Sequence, residues 1–362
     1  MFSLKARADR LLKVMELIKA DACIVKSEQS RRYLTGIDTA EGVVVITRVG
    51  NRYFLVDRRY EEFATRRLSP QGFTVRTVGR HSEYAMFINE IIQSDKISVA
   101  LLESNAISHE DYLELENALY AKIIPLKSQL DKLRMVKDLE EVENIKTAQR
   151  ISEKSFEDLL PFIKPGVTEK QVQAKLVQLM LENGSDLAKF HITCVSGANT
   201  SLINGRATDK KIESGDALML EFGAVYNGYR SDMARTLVVG KADEEFKKAY
   251  RIVQDACVIG RLYIKKGVSG QAADGEIRRY IEENGYRDYF RHSLGHGIGV
   301  QLAEAPYLSS DSKDILTAGN VVTLEPGIYI KGKFGIRIED LLYISASGTE
   351  NLTRTTRDLI EL

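Results

Sequence analysis

Four carboxylates and one imidazole stand out in the later part of the chain. They lie in the segments Glu221-Phe222-Gly223, Ser231-Asp232, His292-Ser293-Leu294-Gly295-His296-Gly297-Ile298-Gly299, Glu325-Pro326-Gly327-Ile328-Tyr329 and Ile336-Arg337-Ile338-Glu339-Asp340. Carboxylate oxygens joined by a neutral imidazole nitrogen form the donor set that holds one or two hard or borderline divalent cations. In such a centre Asp232 and Glu339 would each bridge two cations, Glu325 and His296 would complete one of them, and Glu221 would chelate the other. Water activated between the cations is the expected nucleophile, so the chemistry pointed to is hydrolysis. Without cations the clustered carboxylates repel one another, and several of them must take up protons.

The residues around these donors have narrower readings. Arg337, two positions from Glu339 in an apolar alternation, is expected on the same strand face, where it would orient the site through an ion pair. His292 reads as a support or substrate contact. Gly295, Gly297 and Gly299 lack the Lys-Ser/Thr sequel of a phosphate loop, and a central His suits metal ligation better. Pro326-Gly327 reads as a rigid turn that aims Glu325, and Tyr226 and Tyr229 as packing of a short hairpin.

These donors need a scaffold, and the sequence outlines one. A helix is expected over 6–20, a strand over 22–25, a hairpin of strands 42–46 and 53–56, further strands over 73–78 and 97–102, and helices over 83–93 and 108–119. That alternation predicts a smaller α/β domain over 1–133. The charged stretch 131–143 is expected to open one long amphipathic helix carrying Val142, Ile145, Ala148, Ile151, Phe156 and Leu159, with the second domain over 134–362. This second domain repeats itself at an offset of 101 residues: Ile163-Lys164-Pro165-Gly166-Val167-Thr168 answers to Ile264-Lys265-Lys266-Gly267-Val268-Ser269, Glu182-Asn183-Gly184 to Glu283-Asn284-Gly285, and His191 to His292. Two related α+β halves are expected, with the site gathered at their interface.

The order and spacing of the donors resemble the pita-bread metallohydrolase family, which includes Xaa-Pro dipeptidase (prolidase), aminopeptidase P, methionine aminopeptidase and creatinase. The steps from Glu221 to Asp232, His296, Glu325 and Glu339 are 11, 64, 29 and 14 residues, and the resemblance covers nearly the whole chain. It implies an α+β pita-bread catalytic domain behind a creatinase-like N-terminal domain, one or two Mn, Co or Zn ions, a short peptide or small amide substrate, Glu325 in a catalytic as well as a ligand role, and a homodimer. Three positions depart from the family pattern. Glu221 stands where Asp is usual. Asn204, after Ser196-Gly197-Ala198-Asn199, and Ala303, in Leu302-Ala303-Glu304-Ala305-Pro306, replace the two histidines that hold substrate. Asn204 can still donate a hydrogen bond but cannot move a proton near neutral pH, and Ala303 can do neither. Weakened or altered activity is therefore expected. The rival readings are a non-catalytic binding module and a metal-free creatinase-like C–N hydrolase, the latter needing a His at the position of Asn204.

Composition narrows the class. Lys+Arg and Asp+Glu balance at 51 each, which gives no basic surface for nucleic acid and no acidic tail. Cys23, Cys194 and Cys257 form no CxxC pair and read as reduced core thiols. No apolar run is long enough to span a membrane, and no signal segment follows the charged start, so a cytoplasmic protein is expected.

Overall fold

A computed structural model of the chain describes residues 4–186 and 192–362. They form two compact units that part between Arg134 and Met135. His191, the repeat partner proposed for His292, lies outside the described residues.

The first unit contains α1 (Leu4–Ile18), β1 (Ala22–Val25), α2 (Glu28–Thr35), β2 (Val43–Thr47), β3 (Arg52–Asp57), α3 (Glu61–Leu68), β4 (Phe73–Val78), α4 (Glu83–Ser94), β5 (Val99–Leu102), α5 (His109–Ala118), β6 (Lys122–Pro125) and all but the last residue of α6 (Gln129–Met135). Its six-stranded sheet has the order β4-β3-β2-β1-β5-β6. The β3–β4, β1–β5 and β5–β6 pairs are parallel, and β2 runs antiparallel to both its neighbours. Alternation along β1 shows why an unbroken apolar run makes a central strand. Cys23 and Val25 enter the core shared with α1, α2 and α3, whereas Ala22 and Ile24 enter the opposite core shared with α4 and α5, so both faces are buried.

The expected long helix from 131 onward is two helices. The α6 helix ends at Met135, and α7 (Leu139–Leu159) starts from Asp138, whose side chain accepts from Glu141 N–H while the Glu141 carboxylate accepts from Asp138 N–H. This reciprocal capping box satisfies donors that a continuing helix would have used, and it restarts the helix at 139.

The second unit continues with α8 (Glu169–Glu182), β7 (Thr193–Ser196), β8 (Ala217–Phe222), β9 (Val225–Tyr226), β10 (Tyr229–Arg230), β11 (Met233–Val238), α9 (Glu244–Tyr263), α10 (Gly270–Glu283), β12 (Gly295–Gly297), β13 (Glu304–Leu308), β14 (Val321–Leu324), β15 (Gly327–Ile330), β16 (Phe334–Arg337), β17 (Asp340–Ile344) and β18 (Thr349–Asn351). The repeat is physical: α8 and α10 begin and end at the same offset, 169 to 270 and 182 to 283. Thr168 and Ser269 cap them, and Gly166 and Gly267 both adopt φ +90° ahead of the caps, a left-handed backbone that favours glycine. Each half has its own sheet, β11-β8-β7 in the first and β13-β12-β14-β17-β18 in the second, and largely its own core. Tyr226 and Tyr229 do flank a tight hairpin turn, Asn227-Gly228, with both φ values positive, as such turns require. All three cysteines are buried and unpaired.

Candidate metal centre

Each candidate donor sits on or beside a strand of the two sheets. Glu221 is on β8, and Asp232 lies just before β11, which pairs with β8. His296 is central in β12, Glu325 follows β14, and Glu339 lies in the link between β16 and β17. Backbone bonds lock this link to the first half: Glu339 N–H donates to Ala234 O at 3.0 Å, and Arg235 Nη1 donates to Glu339 O at 2.6 Å. Glu325 is fixed in the same way, its N–H donating to Leu294 O at 2.9 Å.

The glycines have a steric task. A Cβ on Gly295 would lie 2.2 Å from Thr323 O, so only glycine lets β12 approach this close to the end of β14. That approach brings Thr323 Oγ1 to 3.0 Å from His296 N–H, from which it accepts, and to 3.3 Å from Glu325 Oε1, to which it donates. Thr323 thus ties one ligand candidate to another, a role not visible in the sequence.

Oxygen atoms of Glu221, Glu325 and Glu339 lie within 4.8 Å of one another. Asp232, Glu325 and Glu339 are nearly inaccessible to solvent. Asp232 Oδ1 and both carboxylate oxygens of Glu339 have no hydrogen-bond partner among the described residues. Buried carboxylate oxygens left bare are costly unless a proton or a cation meets them. Burial, then the charges of Glu221 and Glu325, raises Asp232 well above the usual carboxylate range, and burial followed by Asp232 does the same to Glu339. Burial pushes Glu325 up to about 8, with Arg337 opposing and Glu221 adding to the rise. The His296 ring is held neutral, its affinity for a second proton lowered chiefly by burial. Because Gly297 O, 3.0 Å from Nδ1, can only accept, Nδ1 carries the ring proton, and the Nε2 lone pair faces Glu325 Oε1 across 3.6 Å. A lone pair facing a carboxylate at that separation is the setting in which a divalent cation fits, and the neutral tautomer is the ligating one.

Arg337 is buried inside this cluster. Its partner is the Glu221 carboxylate, to which Nη1 donates, while Glu325 lies 4.0 Å away. Ile336 and Ile338 enter the apolar core of the second half, whereas Arg337 and Glu339 both turn to the charged cluster, as the alternation predicts, although the ion pair that Arg337 makes there is with Glu221. Arg337 Nε donates to Tyr329 Oη at 2.6 Å and Nη2 to Ile203 O at 3.2 Å. His292 Nδ1 donates to Ser293 O at 2.8 Å, and its Nε2 accepts from Tyr329 Oη at 2.9 Å. Burial, then the charge of Arg337, lowers the His292 pKa to about 3. Tyr329 therefore links Arg337 to His292, a role the sequence reading did not give it. A signal existed: in the β15–β16 hairpin, Gly327 pairs with Arg337 and Tyr329 with Gly335, two large side chains each opposite a glycine on one face. Asn204 is exposed in the turn after Ser201, and its neighbour Ile203 makes the contact to Arg337. Ala303 is exposed just before β13.

Residues 143–346 match metallopeptidase family M24, and residues 7–136 match the creatinase/prolidase N-terminal domain. The chain is 36% identical to an uncharacterized peptidase, YqhT, of Bacillus subtilis over 98% of this chain and 100% of that protein. It is 40% identical to the Xaa-Pro dipeptidase of Pyrococcus furiosus over 63% of this chain and 66% of that one. Among solved structures, an Xaa-Pro dipeptidase from Bacillus anthracis superposes with a TM-score of 0.94 at 35% identity, covering 99% of this chain and 100% of that one.

Proposed function

Because the chain belongs to metallopeptidase family M24, we propose that it is a metal-dependent exopeptidase that hydrolyses short Xaa-Pro peptides or related small amides, at a rate reduced by the loss of two histidines. The observation that carries this reading is the set of bare, buried carboxylate oxygens on Asp232 and Glu339 beside Glu325 and the His296 lone pair. Asp232, His296, Glu325 and Glu339 would hold Mn, Co or Zn, with Glu221 shared between a cation and Arg337. A bound divalent cation supplies Lewis acidity and lowers the pKa of water held in the site.

The chain's own residues contribute the rest. Glu325 would serve in proton transfer as well as in holding the cation, its Oε1 oriented by the Thr323 hydroxyl. Arg337 and Tyr329 hold Glu221 and His292 in place. Asn204 would donate a hydrogen bond towards substrate, and Ala303 leaves a second donor missing. Losing one such transition-state donor costs about 3 to 4 kcal/mol, or roughly a hundredfold to a thousandfold in rate.

A second reading, a binding module without turnover, is favoured by one observation: among the described residues of this unit, His292 and His296 are the only imidazoles. Elemental mass spectrometry after dialysis, on wild type beside Asp232→Ala and His296→Ala, paired with proline release from Xaa-Pro dipeptides, separates the two. Metal retained by the wild type alone, with slow proline release, is the expected result. A chain that takes up none of the three cations would sink the hydrolase reading. No helix among the described residues is long and apolar enough to cross a membrane, and the expected homodimer is tested by light scattering on the same samples.

A further inference from the structure

A strand of the second unit carries an arginine where its own pattern calls for an apolar side chain. Met233 and Leu237 of β11 lie in the apolar core of the first half, and Arg235 falls between them on the same face of the strand. It is 1% exposed. An ionic group buried this deeply gains little stability over a well-packed apolar side chain, so stability alone does not account for the residue type.

The guanidinium uses all five of its N–H groups, and they reach three stretches of chain. Nη1 donates to Ala234 O at 2.8 Å and to Glu339 O at 2.6 Å. Nη2 donates to Asp340 Oδ1 at 3.0 Å and to Thr355 O at 2.9 Å, and Nε donates to Thr356 O at 2.8 Å. The residues on either side of Arg235 grip the same link. Ala234 O accepts from Glu339 N–H at 3.0 Å, and Thr236 Oγ1 accepts from Arg337 N–H at 3.0 Å.

The C-terminal stretch that Arg235 reaches is itself fastened to both halves. Thr355 N–H donates to Glu153 of α7 at 2.7 Å, and the Tyr250 hydroxyl of α9 donates to Arg357 O at 3.2 Å. Asp340 is fully buried and also accepts from Arg357 Nε, so its charge keeps a partner when Arg235 is replaced.

Glu339 depends on this arrangement. Its N–H and its C=O are both held by β11, whereas both of its carboxylate oxygens have no hydrogen-bond partner among the described residues. Hydrogen bonding therefore aims this side chain only through its backbone. Asp232 immediately precedes β11, so one strand sets both of the carboxylates expected to bridge two cations.

We propose that Arg235 is a positioning residue of the metal centre, holding the Glu339 peptide, with residues 353–358 as its brace, so that the Glu339 carboxylate stays in the donor set with Asp232. This role rests on the reading of the cluster as a metal centre. Arg235 itself touches neither cation nor substrate.

Calorimetric titration of the metal-free full chain with Mn tests it, on Arg235→Met, Arg235→Lys and Val172→Ala beside wild type, each with its melting temperature in EDTA. Arg235→Met keeps an apolar stem and removes the five donors. It should bind Mn about tenfold to a hundredfold more weakly than wild type, the usual loss when a group supporting a ligand is removed. Arg235→Lys keeps the charge without the planar fork. It should fall between the two, and it serves as the test should Arg235→Met fold poorly. Val172→Ala, on α8, opens space in the core of the first half; it should lower the melting temperature yet bind Mn as wild type does. Wild-type Mn affinity in the Arg235 variants, or an equal loss of affinity in Val172→Ala, would overturn the positioning role and leave the metal centre standing. A wild type that takes up no Mn, Co or Zn would overturn the metal centre and the positioning role together.

Discussion

Replacing Glu221 by Asp probes how the site divides this carboxylate between Arg337 and a cation. The shorter side chain withdraws the carboxylate by roughly one C–C bond, about 1.5 Å, which breaks the contact with Arg337 Nη1. Arg337 is 2% exposed and among the described residues keeps Tyr329 and Ile203 as its hydrogen-bond partners. A hydrogen bond between charged groups contributes about 1.5 to 3 kcal/mol. In a unit of 228 residues, 135 to 362, each kcal/mol moves the melting temperature by about 2 to 4 °C. Metal-free Glu221→Asp should therefore melt about 3 to 12 °C below wild type by differential scanning calorimetry in EDTA. Saturating Mn should narrow that gap, because the retracted carboxylate is free to face the cation and ligand binding stabilises by mass action. An unchanged melting temperature in EDTA would refute the ion pair as a support of the site, and a gap that Mn leaves untouched would refute Glu221 as a ligand.

Three further outcomes are expected. Ala303→His, alone or with Asn204→His, should raise kcat/KM on an Xaa-Pro dipeptide about tenfold to a thousandfold, and a flat response in Mn would remove the missing donors as the cause of slow turnover. Glu325, with its pKa raised to about 8, favours the cation-free fold at low pH, and that contribution fades as pH rises through about 8. Mn binding should accordingly tighten from pH 7 to 9 and release protons at pH 7, measured by calorimetry in two buffers of different ionisation heat; zero release would contradict the protonated site. Gly295→Ala should destabilise by about 3 kcal/mol or more in urea denaturation of the metal-free chain, since its Cβ would meet Thr323 O at 2.2 Å.

What could be read in the sequence depended on how local its cause was. β4, Phe73–Val78, and the caps Thr168 and Ser269 follow from neighbours along the chain, and so did the matching turns at Gly166 and Gly267. β6, Lys122–Pro125, escaped because it is a half-exposed edge strand with a charged first residue and a proline at its end. The break before α7 was encoded by Asp138 and Glu141, but the surrounding charges masked it as ordinary helix surface. In the site, residue types and spacing pointed to the carboxylates and to His296, whereas Tyr329 and Thr323 acquire their contacts only from cross-strand register. Alternation places Arg337 and Glu339 on one side of the chain, but the reach of Glu221 from the opposite half decides the ion-pair partner of Arg337.

The duplication has a mechanical consequence. Glu221 and Asp232 come from the first copy, and His296, Glu325 and Glu339 from the second, so neither copy carries a complete donor set. A cation held by all of them would act as a rivet across the seam, and any breathing of one copy against the other would loosen it at once. Occupancy of the centre and slowed hydrogen exchange in β8 and β14 should then rise and fall together, making the metal a gauge of how firmly the two copies are closed.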